Sequence, residues 1–488
     1  MKTIASAPLA ENVMLPQYDR QQLKTRIVHF GFGAFHRAHQ ALLTDRVLNA
    51  QGGDWGICEI SLFSGDRLMS QLREQDHLFT VLEKGANGNQ PIVIGAVNEC
   101  LNARLDSLAA IIEKFCEPQV AIVSLTITEK GYCIDPATGS LDLSNPRIIH
   151  DLQTPTEPHS APGIIVEALH RRRERDLQPF TVLSCDNIPD NGHVVKNAVL
   201  GMAKKRSPEL AHWIQEHVSF PGTMVDRIVP AATEESLAEI AHALGVADPC
   251  AISCEPFIQW VIEDNFVCGR PQWETAGVQM VENVLPWEQM KLRMLNGSHS
   301  FLAYLGYLAG FQHISDCMQD SAFREAAYRL MLSEQAPTLQ ITDVDLDQYA
   351  LSLLERFSNP ALKHKTWQIA MDGSQKLPQR MLEGIRVHLS RQSEWPLLAL
   401  GVAGWMRYVS GVDDSGSAID IRDPLSEKIA ALVKQSTESE RVSALLSLHE
   451  IFAADLVQNP QFVAAIQQAW QRIAQYGARQ AVIETLKN

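Results

Sequence analysis

Along the first half of the chain, short apolar runs alternate with stretches whose apolar residues recur three and four apart. Residues 27–30 form a compact apolar run, and 34–50 follow with helical spacing until Gly52 and Gly53 interrupt them. Further apolar runs predict strands at 55–63, 78–82, 91–97, 120–127, 180–184 and 223–229. Helical patterns lie between several of them, at 105–115, 162–173 and 192–204. Strands that alternate with helices over this length imply a mostly parallel sheet covered on both faces. From about residue 287 the pattern changes. Helical spacing continues through 289–308, 321–332, 346–357, 425–433 and 462–486, and strand-like runs almost vanish. The expected organisation is an α/β domain over residues 1–285 followed by an all-α domain over 286–488.

The chain length of 488 residues agrees with two domains, since one hydrophobic core rarely serves so many. A hydrophobic content of 45% with 20% charged residues is an ordinary globular balance. The formal net charge of −15 weighs against a nucleic acid or an anionic membrane as partner, because either needs a clustered positive surface. Positive charge meant for an anionic ligand must therefore be local. Nine cysteines, an odd number without zinc-site spacing, read as free thiols of a reducing compartment. The N-terminal stretch lacks the apolar run of a signal peptide, and runs such as 397–406 are too short to cross a bilayer. These features together predict a cytoplasmic protein with no membrane partner.

The run at 27–30 leads straight into Gly31-Phe32-Gly33-Ala34-Phe35-His36-Arg37. Gly31 and Gly33 supply a Gly-x-Gly turn between a strand and a helix, where backbone N–H groups can approach a pyrophosphate. His36 stands in place of the third glycine of the usual fingerprint, and the strand-turn-helix context carries the reading. His36 and His39, three apart on one expected helix, would share a face, with His36 or Arg37 touching phosphate. No further ligands at metal-site spacing accompany them, so no metal is expected. An acidic residue after the second strand commonly holds the ribose; Glu59 and Asp66 are in range, and Asp66 joins the candidate cofactor set.

Where the helical half begins stands Lys291-Leu-Arg-Met-Leu-Asn296-Gly-Ser-His299. At α-helical spacing one face could present Lys291, Asn296 and His299. Removing a hydride from an alcohol carbon requires a base for the hydroxyl proton, and a lysine in a dry cleft suits that task. Asn296 can donate to a developing alkoxide, and His299 can orient the lysine or bind a hydroxyl. Asn187 follows the apolar run at 180–184, where ligands of parallel sheets gather. Thr128-Glu129-Lys130-Gly131 and Asp226-Arg227 repeat the pattern of a strand followed by polar groups.

Taken together, residues 31–40 (Gly-Phe-Gly-Ala-Phe-His-Arg-Ala-His-Gln), Thr-Glu-Lys-Gly-Tyr at 128–132, Ser-Cys-Asp-Asn at 184–187 and the Lys291, Asn296, His299 set resemble the mannitol dehydrogenase family. These are the polyol-specific long-chain dehydrogenases and reductases, which include hexuronate reductases. The resemblance implies a Rossmann-type first domain, a helical second domain, NAD as cofactor and hydride transfer without a metal. It further implies Lys291 as acid/base and Asn187 and Asn296 as an oxyanion-stabilising pair. Asp226 and His299 would bind substrate hydroxyls or orient Lys291, and Glu129 would lie on a proton route to solvent. Lys376 in Asp-Gly-Ser-Gln-Lys would meet the substrate. Mannitol-oxidising members tend to carry arginine eight residues before that lysine, and Gln368 stands there instead.

The stretch 365–380 is similar to the fructuronate reductase (mannonate oxidoreductase) branch, in which a carboxylate substrate would call for Lys376 and Arg380. The expected activity is reversible NAD-linked reduction of a keto sugar acid, D-fructuronate to D-mannonate in type. A neutral polyol 2-dehydrogenase of the arabinitol or mannitol kind is the alternative. The resemblance leans toward a monomer or weak dimer. A non-catalytic nucleotide-binding protein would have no use for an intact Lys291, Asn296, His299 and Asn187 set.

Overall fold

A computed structural model describes residues 3–135, 138–342 and 344–487. The chain divides into two units, Met1–Leu285 and Pro286–Asn488. In the first, β1 (Lys24–Phe30) lies between β2 (Trp55–Ser61) and β6 (Ile122–Leu125), and β5 (Val97–Asn102) and β7 (Thr181–Ser184) complete the sheet. All four pairings in this five-stranded β5-β2-β1-β6-β7 sheet are parallel. Strands covered on both faces need apolar residues at successive positions, which is why Ile27, Val28 and Phe30 form a run rather than an alternation. The strand order reverses at β1, so the C-terminal ends of β1 and β6 flank a switch point, where open α/β sheets take their ligands.

Local sequence misleads in two places. The run at 91–97 is two strands, β4 (Gly88–Ile94) and β5. The bend between them is held by side chains distant in sequence: Gly95 donates to Asp45 at 2.8 Å, and Arg20 donates to the Gly95 carbonyl at 3.1 Å. The expected helix over 34–50 is also two pieces, α1 (Ala34–Arg37) and α2 (Gln40–Gln51), with His39 at a non-helical φ −127°, ψ −93°. His36 and His39 consequently do not share a face. His36 Nε2 meets Glu59 at 2.7 Å, and His39 Nε2 meets the Gln259 carbonyl at 3.1 Å.

Three short strands escape the hydropathy pattern, β9 (Ile252–Cys254), β10 (Gln259–Glu263) and β11 (Gln279–Val281). They serve two small mixed sheets, β4-β3-β9 with β3 at Phe79–Gly85, and β11-β10-β8 with β8 at Thr223–Asp226. Antiparallel pairing of Gln259 with Asp226 fixes the last residue of β8.

The second unit is helical, with only isolated bridges and no strand among its described residues. Helices Ser298–Leu308 and Pro396–Val409 carry its core, in which Phe301, Leu302, Leu305, Trp405 and Met406 are fully buried. Buried Glu334 accepts the N–H groups of Leu397 and Leu398 at 2.8 and 2.7 Å, satisfying orphan donors of the Pro396 helix. Among the described residues no helix is long and apolar enough to cross a membrane. All nine cysteines are free, eight of them buried.

Candidate active site

In the first unit the dinucleotide turn follows β1 directly. Gly31 has φ +100°, and a Cβ there would lie 2.9 Å from the Thr126 carbonyl at the end of β6. That position therefore requires glycine on both conformational and steric grounds. Gly33 is exposed and heads α1 without a side-chain cap, and nothing lies within 4 Å of where its Cβ would be. An open glycine before uncapped helical N–H groups, at the switch point of a parallel sheet, fits a dinucleotide phosphate. Asp66 opens α3 (Asp66–Glu74) just beyond β2, half-exposed and 3.4 Å from Arg104. Glu59 is fully buried and bonded to His36 at 2.7 Å.

Within the turn the side chains divide. Phe32, His36 and Arg37 point into the fold, whereas Gly33, Ala34 and Phe35 lie outward or half-buried. Phe32 packs edge-on against Phe79, and Arg37 donates to the Cys250 and Gly33 carbonyls. The His36 imidazole and Arg37 guanidinium, anticipated at a phosphate from the sequence, are both buried and bonded within the fold.

Beneath the turn, His29, His36 and Glu59 form the one cluster with metal-ligand atoms in reach of one another among the described residues. The His29 and His36 rings stack 3.4 Å apart at 12°. An ion in the plane of one ring would stand well off the plane of the other, so this geometry suits proton sharing rather than coordination. Burial holds the Glu59 carboxyl above its ordinary range and the His36 imidazole below its own. The favoured state is a neutral acid bonded to a neutral imidazole.

At the ends of β6 and β7 the hub is Asp186. It accepts the N–H groups of Ile127 and Thr128, each at 3.0 Å, and the Tyr132 hydroxyl at 2.6 Å. Burial raises its pKa, against the pull of those hydrogen bonds. Tyr132 also meets Ser184 at 2.6 Å. This bolts the turn carrying Glu129, α5 (Thr128–Gly131), to the loop carrying Asn187, and leaves both residues exposed. Asn191 then donates to the Asp186 and Thr223 carbonyls at 3.1 and 3.0 Å, tying that loop to β8 and its buried terminal residue Asp226. Tyr132 and Asp186 lie inside motifs visible in the sequence, but their contact spans two strands and is not legible there.

In the second unit, buried Lys291 begins a π-helical turn, Lys291–Gly297, that continues into helix Ser298–Leu308. Hydrogen bonds from i to i+5 widen such a turn and bring residues five apart into line, a feature frequent at functional sites. Lys291 and Asn296 are five apart, so the π turn, not an α-helical face, is what aligns them. Two further π turns, Leu330–Gln335 and Pro378–Leu382, converge on its end. Gln335 Nε2 donates to the Arg380 carbonyl at 2.9 Å, and a Cβ on Gly297 would lie 2.8 Å from both groups.

Arg380 Nη1 donates to Ser300 Oγ at 2.9 Å and reaches the Asn296 carbonyl at 3.4 Å. His299 stacks on Phe357 at 5.1 Å with His364 at 5.3 Å. Lys376 donates to the Ile369 and Met371 carbonyls. Its pKa falls to about 8 through burial and then Arg380, with Asp372 and Asp423 acting in opposition. Asn296, His299 and Arg380 thus belong to one neighbourhood at the end of the turn that Lys291 begins. Gln368 is exposed on the short helix Thr366–Ala370.

Comparison with known proteins matches both units. Residues 25–275 match the mannitol dehydrogenase Rossmann domain, and residues 283–474 match the mannitol dehydrogenase C-terminal domain. The oxidoreductase YeiQ of Escherichia coli strain K12 is 80% identical over 487 residues, covering 100% of both chains. D-mannonate oxidoreductase of the same organism is 57% identical over 485 residues, 99% of each chain. The solved ternary complex of Pseudomonas fluorescens mannitol 2-dehydrogenase with NAD and D-mannitol superposes with a TM-score of 0.81 at 39% identity, covering 98% of each chain. With both family models matched in order over nearly the whole length, the chain belongs to the mannitol dehydrogenase family of oxidoreductases.

Proposed function

We propose that this protein reversibly reduces a keto sugar acid, D-fructuronate to D-mannonate in type, with NAD as the hydride carrier. The observation that carries the substrate class is half-buried Arg380, with Lys376 near it, against the end of the Lys291 turn of a net-acidic protein. The 57% identity to a D-mannonate oxidoreductase supports it.

The first unit, 1–285, is the dinucleotide-binding domain, and 286–488 is the substrate and catalytic domain. The backbone of the Gly31–Arg37 segment would hold the pyrophosphate, and Asp66 the ribose. NAD, when bound, exchanges a hydride with the carbonyl carbon. Lys291 supplies the proton to the oxygen during reduction and takes it back during oxidation. Asn296 and Asn187 donate hydrogen bonds to the oxygen as negative charge develops on it. Asp226 and His299 hold substrate hydroxyls and orient Lys291, and Glu129 passes protons to solvent. Lys376 and Arg380 hold the carboxylate, while Gln368 replaces the arginine of mannitol-oxidising relatives. The enzyme acts in the cytoplasm as a monomer or weak dimer.

The test is NADH consumption by purified protein with D-fructuronate and with D-fructose under identical conditions. A preference for the acid of at least tenfold in kcat/KM, about 1.4 kcal/mol of differential transition-state binding, is expected. Equal or greater activity on fructose would overturn the acid and favour the neutral polyol reading, for which the mannitol-bound relative at 39% identity speaks.

A further inference from the structure

The Lys376 ammonium rests on the Ile369 and Met371 carbonyls at 3.3 and 2.5 Å, so the path of residues 369–376 decides where it stands. That path does not hold itself. Asp372 takes a left-handed φ of +56°, a strained conformation for a residue with a side chain, and its side chain does not cap the helix Gly373–Leu377 that follows. A distant segment supplies what is missing. Asp423 accepts the Ser374 N–H at 2.8 Å on one carboxylate oxygen and the Ser374 hydroxyl at 2.5 Å on the other. The Leu425 N–H, at 2.9 Å, fixes that carboxylate in turn. The Arg422 carbonyl accepts the Asp372 N–H at 3.0 Å. The Asp420 carbonyl accepts the Trp367 indole N–H at 3.1 Å, and the Arg422 guanidinium lies 4.4 Å over the same ring. On its other side the loop is seated on the helical core, since a Cβ on Gly373 would collide with Trp405 Nε1 and come within 2.9 Å of the Tyr304 hydroxyl.

We propose that Asp423 is a positioning residue for Lys376: residues 420–423 form a strap that holds the 367–374 loop in place and, through it, presents the lysine to the substrate. This rests on the keto sugar acid reading above, in which Lys376 meets the carboxylate, and deepens it with a residue outside every sequence motif. The Asp423 charge has a second consequence. Burial and then Arg380, from the π turn Pro378–Leu382, bring the Lys376 pKa down to about 8, while Asp372 at the head of its own helix and Asp423 on the strap act in opposition. His299, on which Lys376 also acts, is held neutral chiefly by burial. Lys376 is therefore charged at pH 7 and loses its charge as pH rises through 8, so its hold on a carboxylate weakens over that range. Removing the Asp423 charge moves that loss to lower pH. A purely structural role for the Ser374 contact would leave it where it is.

The experiment measures kcat and KM for D-fructuronate from pH 6 to 9 in wild type, Asp423→Ala, Asp423→Asn, Lys376→Met and the double variant Lys376→Met with Asp423→Ala. Thermal melting and NADH affinity check the folding of each. Asp423→Ala should raise KM about tenfold at pH 7 with kcat within about threefold. Asp423→Asn keeps the shape and one acceptor; its KM should climb at lower pH than in wild type, reaching about threefold above it at pH 8. In the Lys376→Met background Asp423→Ala should change KM by less than about twofold, because the strap acts through the lysine. A rise in KM that persists undiminished without Lys376, or no rise in a well-folded Asp423→Ala protein, overturns the positioning role and leaves the proposed function intact. Should Asp423→Ala fail to fold, the isosteric variant decides: an unshifted pH profile in Asp423→Asn overturns the role equally. A wild type that neither turns over nor binds the acid overturns both.

Discussion

Lys291 sits buried at the head of a π turn, with Asn296 one turn on and His299 on the helix that follows. Its long side chain can carry a proton, and no neighbour in this turn can replace that. Lys291→Ala should lower kcat by about 10²- to 10⁴-fold, the usual worth of general acid–base catalysis. The dissociation constant for NADH should change by less than about threefold, since the glycine turn belongs to the other unit. Stopped-flow hydride transfer and fluorescence titration of NADH measure the two quantities; retained turnover would remove Lys291 from the chemistry. His36 and Arg37 give the opposite lesson. Their chemistry suits phosphate, yet the fold spends both on internal contacts with Glu59 and the Cys250 carbonyl.

Among elements, the π turns and the Glu334 cap carry the clearest consequences. Glu334 lies near the end of one π turn and accepts two N–H groups at the head of the Pro396 helix. Burial raises its pKa from 4.5 to about 7 despite those bonds. Because its folded pKa exceeds the unfolded one, the native state binds the extra proton between these values. Stability attributable to this group is full below pH 4.5 and falls as pH rises toward 7. A shift of this size amounts to at most about 3 kcal/mol. Glu334→Gln removes the ionisation, so its stability relative to wild type should improve from pH 5 to pH 8 in urea melts. A difference that is flat across that range would mean Glu334 stays ionised throughout. The turns at 291–297 and 378–382 meet where Gly297 leaves room for the Arg380 carbonyl and Gln335. That contact draws Arg380 beside Ser300 and Asn296.

Over the whole molecule, charge and thiols follow from burial. The net charge of −15 coexists with a cationic neighbourhood around His299, which composition averages away. Of nine free cysteines only Cys268 is half-buried, and its Sγ donates to the Pro179 carbonyl at 3.1 Å with its pKa raised by burial. Native protein should therefore react with an aromatic disulfide reagent at no more than one thiol within minutes at pH 7.5, and at all nine once unfolded in guanidinium. Several rapid native equivalents would show that the cores open far more readily than their packing implies.

The order of residues alone implies the succession of strands and helices, the change to a helical second half and the glycine turn. It does so because continuous apolar runs, helical periodicity and glycines at a tight strand-to-helix turn are local features of the residue order. Its motifs also put forward Lys291, Asn296, His299 and Asn187 as the candidates for the chemistry. Long-range packing sets the split of the 91–97 run, the break between His36 and His39, and the burial of His36 and Arg37. The same holds for the π register of Lys291 and Asn296, the bolt of Asp186 to Tyr132, and the approach of His364 to His299. Each of these depends on a partner far away in the chain, such as Asp45, Glu59, Gln259 or Arg380. Pairings over that separation leave no periodicity in the sequence for a local reading to detect.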